Sequence, residues 1–120
     1  MASPDLGFPR SARLLNARDF NNVFRNATLR RRSGALRLSA VANRMPVPAG
    51  ARLGLVVGKR AISRAHERNR VKRVLRETFR QRRAQLPAMD IVMQITEQVD
   101  NETLRMLADQ LLAEVEACQR

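Results

Sequence analysis

The side chains of this chain that could do acid or base chemistry are few and scattered. Asp5, Asp19 and Asp90 fall in separate segments, and the single histidine, His66, is enclosed by Arg64 and Arg68. Cleaving a bond on the protein itself needs convergent groups, either a nucleophile beside its base or carboxylates around a metal. No His-Glu-x-x-His pattern, phosphate-cradling glycine loop or carboxylate cluster is present. Cys118, the only cysteine, excludes an intramolecular disulfide and a Cys-rich zinc site, and reads as an ordinary thiol. No catalytic and no metal-ligating residue is assigned.

Binding chemistry is concentrated instead. The run from Lys59 to Arg83 carries 11 of the 23 basic residues against two acids, Glu67 and Glu77. Burying so many guanidinium groups in a dry core would be prohibitively costly, so the run must face water or a polyanion. Residues 1 to 58 net +8, residues 59 to 83 net +9 and residues 84 to 120 net −5. The C-terminal third therefore does not share the basic face. All the cations of the central run except Lys59 and Lys72 are arginines, which favours bidentate phosphate contacts and stacking on bases. A merely solvated helix face usually mixes signs, and this one hardly does.

The remaining sequence must build a scaffold for that surface. A length of 120 residues and a hydrophobic content of 44% fit one domain over residues 1 to 120, with residues 1 to 12 as a flexible N-terminal segment. No apolar run approaches the roughly 18 residues of a membrane span, and Pro4, Asp5, Pro9 and Arg10 break any signal-peptide core. A cytoplasmic protein is expected.

Asn16 can cap a short helix carrying Asp19 in its first turn, with Phe20, Val23 and Phe24 on one stripe. Two aromatic residues at that spacing are more often core than a stacking platform. Residues 27 to 32 and 35 to 43 flank Ser33-Gly34 as the arms of a hairpin, the first arm weakened by three consecutive arginines. Leu53 to Val57 reads as a central strand buried on both faces, and Pro46, Pro48 and Gly50 mark the connection before it. From about Ser63 the pattern is helical, with Val71, Val74, Leu75, Thr78 and Phe79 inward and Lys72, Arg73, Arg76, Arg80 and Arg83 around the other side. Leu86-Pro87 ends that helix. Ile91 to Ile95 form another buried strand, and Asp100 caps a last helix with Leu104, Leu107, Ala108, Leu111, Leu112 and Val115 inward. Strand, basic helix and strand in succession make a βαβ unit in a mixed sheet covered by helices.

The segment from Arg64 through Ala65-His66-Glu67-Arg68-Asn69-Arg70-Val71-Lys72-Arg73 to Arg80 strongly resembles the signature helix of the bacterial ribonuclease P protein subunits. The likeness extends through Arg13-Leu14-Leu15, Asp19-Phe20-Asn21-Asn22-Val23-Phe24, Arg52 to Arg60, and Leu86-Pro87-Ala88-Met89-Asp90-Ile91-Val92, in the family's order. It implies an α+β fold, an α/β sandwich that is ribosomal protein S5 domain 2-like. Its mixed sheet of about four strands would be packed with helices, and a left-handed βαβ crossover would contain the basic helix.

The resemblance also implies a function. In this family a large RNA holds the catalytic centre of the endoribonuclease, which removes the 5′ leader of precursor tRNA with Mg²⁺ held mainly by RNA, and the protein assists. Carried over by position, Arg64, His66, Arg68, Asn69, Arg70, Lys72, Arg73 and Arg76 would contact the catalytic RNA. Phe20, Phe24, Leu38, Lys59 and Arg60 would bind the single-stranded leader, with Leu38 standing in for an aromatic that other members place on its strand. After Ile95 the family tends to basic residues, where this chain has Thr96 and Glu97. The protein is expected to be a monomer in the particle, with the catalytic RNA and precursor tRNA as partners. A structural RNA-binding protein, such as a small ribosomal protein, is the alternative that size and charge equally allow. A nuclease acting alone through His66 is a third reading, weakened by the lack of convergent carboxylates.

Overall fold

The computed structural model describes residue 13, residues 16–43 and residues 50–118. The segment 1–12, Leu14-Leu15 and the prolines Pro46 and Pro48 lie outside the described residues. The chain forms helix α1 (Ala17–Asn26), strands β1 (Leu29–Ser33), β2 (Leu36–Ala42) and β3 (Arg52–Val57), helix α2 (Ala65–Arg82), strand β4 (Met89–Ile95) and helix α3 (Asn101–Ala117). A 3₁₀ turn, Arg83–Gln85, ends α2 just before Pro87.

Local signals set these limits. Asn16 caps α1 by accepting from the Asp19 amide at 2.9 Å, and Asp100 caps α3 by accepting from the Thr103 amide at 3.1 Å. Gly34, at φ +56°, makes the left-handed step that joins β1 to β2 over two residues. Both the amide and the hydroxyl of Thr96 donate to the Ala35 carbonyl, at 2.9 and 3.2 Å, and bind the hairpin to the end of β4.

The sheet order is β1-β2-β4-β3, antiparallel except for the parallel pair β3 and β4. The chain between that pair is the basic helix, so the expected βαβ unit is present. The expectation for Leu53 to Val57 needs correction. β3 is an edge strand, with Leu55 and Val56 partly exposed, and β4 is the strand buried on both faces. A short apolar run reads alike whether a neighbouring strand or a helix covers it. Beyond β3, Arg13 makes a parallel bridge to Leu53 on the open edge.

Strand alternation divides the side chains between two faces. Leu36, Leu38, Ala40, Leu53, Val57, Ile91, Met93 and Ile95 join Val71, Leu75 and Phe79 of α2 and Leu104, Leu111 and Leu112 of α3 in the main core. Among the described residues the opposite face packs against α1, where Val23 meets Val92 and is flanked by Phe20, Val41 and Val56. Acidic residues of the C-terminal third anchor arginines across elements: Arg82 reaches Asp109 at 2.6 Å and Glu116 at 3.0 Å, and Arg31 reaches Glu114 at 3.0 Å. The −5 charge of that third is thus spent partly on fastening α3. No described helix is long and apolar enough to cross a membrane.

Candidate nucleic-acid interface

The arginines of α2 divide into two sets. Val71, Val74, Leu75, Thr78 and Phe79 fix the inner face in the core, which leaves His66, Asn69, Arg73, Arg76 and Arg80 on an exposed stripe at alternating spacings of three and four. Arg64 and Arg73 are exposed and Lys72 is half-exposed; Arg64 lies within electrostatic reach of Glu67, which pairs with Arg70. Arg80 pairs with Glu77 on the helix surface. Their hydrogen bond holds Glu77 below the usual carboxylate range.

The second set turns inward. Arg68 Nη1 donates to the carbonyls of Ile62 and Ser63 at 3.0 and 2.9 Å, stapling the loop that precedes α2. Arg70 binds Glu67 at 2.6 Å, the Asn101 side chain, and the Val99 carbonyl at 3.3 Å, tying α2 to the start of α3. The hydrogen bond from Arg70 holds the Glu67 carboxyl below its ordinary value. Arg83, expected on the outer face, instead sits past the helix end and donates to the Ala51 carbonyl at 3.1 Å. Burial lowers the affinity of its guanidinium for a proton, although an arginine stays charged there.

A second surface lies between α1 and the sheet. Phe20 is half-buried against the Val23 and Val92 cluster, and Phe24 is 42% exposed. The core slot on α1 is therefore filled by Val23, fully buried between the two phenylalanines. Arg30 donates to the Phe24 carbonyl at 2.9 Å and fixes the C-terminal end of α1 on the sheet. At the other end Arg52 lies 3.9 Å from Asp19. Lys59 and Arg60 are exposed on the loop after β3, where the amides of Ala61 and Ile62 both return to the Gly58 carbonyl.

Leu38 does not reach this cleft. It is 1% exposed in the main core, on the other side of the sheet, and such a side chain cannot touch an RNA. Its neighbours Arg37, Ser39 and Val41 face α1 instead. The sequence carried the signal, because Leu36, Leu38 and Ala40 alternate with those three residues.

A match to the family model for ribonuclease P spans residues 8–118. The chain belongs to the ribonuclease P protein family. The ribonuclease P protein component of Edwardsiella ictaluri is 41% identical over 109 residues, covering 88% of each chain. That of an Escherichia coli O157:H7 strain is 41% identical over 106 residues, covering 88% of this chain and 86% of its own. Among solved structures, the ribonuclease P protein of Thermotoga maritima matches with a TM-score of 0.73 at 29% identity, covering 86% of this chain and 96% of its own. A Staphylococcus aureus ribonuclease P protein mutant matches in fold, with a TM-score of 0.77 at 19% identity and 88% of each chain covered.

Within a ribonuclease P protein, carboxylates that would otherwise suggest a metal are already occupied. Asp90, 4% exposed at its side chain, takes two hydrogen bonds from Arg52 at 2.8 and 2.7 Å and one from Asn43 at 2.8 Å. That pairing raises the Arg52 guanidinium above its ordinary value. Asp19 and Asp90, distant in sequence, thus converge on a cation. Among the described residues no group of three or more His, Cys, Asp and Glu side chains could hold a metal ion. A recess of about 700 Å³ between α2 and the start of α3 mixes Glu67, Asp100 and Glu102 with Arg70 and Arg105, which suits a polyanion poorly.

Proposed function

We propose that this ribonuclease P protein works through two separate surfaces, one for each RNA it must join. The endoribonuclease that makes the mature 5′ end of tRNA has its catalytic centre in the RNA subunit, and the chain is the protein component of that complex. The outer stripe of α2, with Arg64, His66, Asn69, Lys72, Arg73 and Arg76, binds the catalytic RNA. The cleft of Phe20 and Phe24, edged by Lys59 and Arg60, binds the leader of precursor tRNA. Aromatic faces combined with cations grip single strands with little regard for sequence, which suits leaders that vary. Arg68 and Arg70 act in this scheme as positioning residues, Arg68 on the loop that carries Lys59 and Arg60.

The observation that carries this reading is the exposed Phe24 and half-buried Phe20 on a face of the sheet separate from the α2 stripe, with Lys59 and Arg60 exposed on the loop that follows β3. Mg²⁺ belongs to the RNA on this proposal, since the converging carboxylates of the chain, Asp19 and Asp90, already face Arg52. We place the protein in the cytoplasm, as a monomer in its particle. A small ribosomal protein is not favoured, because the family match takes in nearly the whole chain.

Multiple-turnover cleavage of precursor tRNA by the cognate catalytic RNA at low Mg²⁺, with and without the protein and with a protein-only control, tests the proposal. Strong activation and an inactive control are expected. No activation would contradict it, and cleavage by the protein alone would move the chemistry onto the chain, with His66 the first residue to substitute.

A further inference from the structure

One rung of the sheet on the α1 side carries two adjacent cations at its β1 end. By register Arg32 lies opposite Arg37, Arg37 opposite Gln94, and Gln94 opposite Val56. All four face α1, because the alternating residues Leu36, Leu38, Met93, Ile95 and Val57 belong to the core on the other side. The next rung runs through Ser39, Val92 and Gly54 and lies under Val23, with Val92 1% exposed. The first rung stays open: Arg32 and Arg37 are exposed, and Gln94 and Val56 are half-exposed. Three strand spacings make it about 14 Å long.

Like charges directly opposite one another on a sheet are destabilising. The Arg37 side chain makes no hydrogen bond or ion pair among the described residues, and the Arg32 side chain donates only to the Gly34 carbonyl at 3.3 Å. An uncompensated cation pair is a phosphate site in waiting. At the far end of the rung the chain turns through Gly58 into Lys59 and Arg60, beside the N-terminus of α2. The β1 edge is thus the part of this face most distant from the surface assigned to the catalytic RNA.

We propose that Arg32 and Arg37 form a phosphate anchor for the distal part of the leader. The leader enters over Lys59 and Arg60, crosses the rung past Gln94 beside Phe20 and Phe24, and reaches the arginine pair last. This inference rests on the leader reading above. It makes the grip dependent on leader length, with short leaders ending before the pair.

The test uses the reconstituted holoenzyme and precursors with leaders of roughly 2 and roughly 10 nucleotides, chosen around the about 4 to 16 nucleotides that such grooves occupy. For Arg32→Gln/Arg37→Gln, long-leader precursor should bind several-fold more weakly. The slope of log affinity against log salt should shrink by about 1.4, from about 0.7 per lost phosphate contact on a single strand. Short-leader precursor should be unaffected, and Arg32→Lys/Arg37→Lys should recover most of the loss. Equal loss at both lengths, weakened assembly with the catalytic RNA, or no loss at either length would overturn the anchor. If the wild-type holoenzyme itself binds precursor and mature tRNA alike, the leader reading falls with it, and the two failures are told apart by that control.

Discussion

Arg68 and Ile62 are joined by a hydrogen bond of 3.0 Å from the Arg68 guanidinium to the Ile62 carbonyl, and the same nitrogen reaches the Ser63 carbonyl at 2.9 Å. Through this bond a residue of the basic helix holds the loop that carries Lys59 and Arg60, the two cations proposed to edge the leader cleft. Ile62, 2% exposed, is the loop's anchor in the core. The two surfaces are thus mechanically linked.

Arg68→Ala should therefore weaken binding of the leader as well as of the catalytic RNA, although Arg68 does not line the α1 cleft. The expected loss in precursor affinity is about 1.5 kcal/mol, the lower end of the net value of a hydrogen bond from a charged donor. Arg73→Ala, on the outer stripe, should weaken assembly with the catalytic RNA and leave discrimination between precursor and mature tRNA intact. Measuring both affinities for both variants checks this; identical profiles would mean that Arg68 is only another RNA contact.

The pair Arg52 and Asp90 makes a stability prediction. Asp90→Ala leaves a half-buried guanidinium without its hydrogen-bonded partner, with only Asp19 at 3.9 Å, and should cost about 3 kcal/mol by urea denaturation. Replacing both residues together, as Arg52→Met/Asp90→Leu, should cost less than the single change, because the only carboxylate then left without its cation is Asp19, which is partly exposed to water. A double variant less stable than the single one would show that the charges are worth more than the apolar side chains that could replace them.

Acid sensitivity follows from carboxylates whose hydrogen bonds hold them below their ordinary values: Glu67 by Arg70, Glu77 by Arg80, Asp109 by Arg82, and Asp100 by the Thr103 side chain and then its amide. A depressed folded value favours folding above the unfolded value, and the contribution disappears as pH falls through the folded one. Thermal stability should hold from neutrality down to the ordinary values of 4.5 and 3.8 and decline below them. Added salt should blunt the decline, since these groups lie at the surface. A melting temperature rising between pH 4 and pH 3 would contradict this assignment.

Much of this architecture was legible in the residues. Caps at Asn16 and Asp100, the helical spacing of Val71 to Phe79 and the Ser33-Gly34 turn placed their elements because each signal is local. What was not legible depended on tertiary neighbours. The apolar run Leu53 to Val57 could not say that it lay at an edge, and Leu38 was assigned to the cleft because the choice of strand face was carried over rather than taken from the alternation around it. The division of arginines into outward and inward sets was also hidden, since the partners of Arg82 and Arg31 lie 27 and 83 residues away, in α3. The convergence of Asp19 and Asp90 on Arg52 is of the same kind.

The central claim is that the α1 cleft selects precursor tRNA by its leader, and the most direct measurement is the affinity of reconstituted holoenzyme for precursor and for mature tRNA, with wild-type protein and with Phe20→Ala. The account predicts that wild type prefers precursor and that the substitution weakens precursor binding by about 1 kcal/mol, roughly fivefold, while mature tRNA binding is unchanged. Equal loss for both RNAs would contradict it, and would return Phe20 to a purely structural place beside Val23.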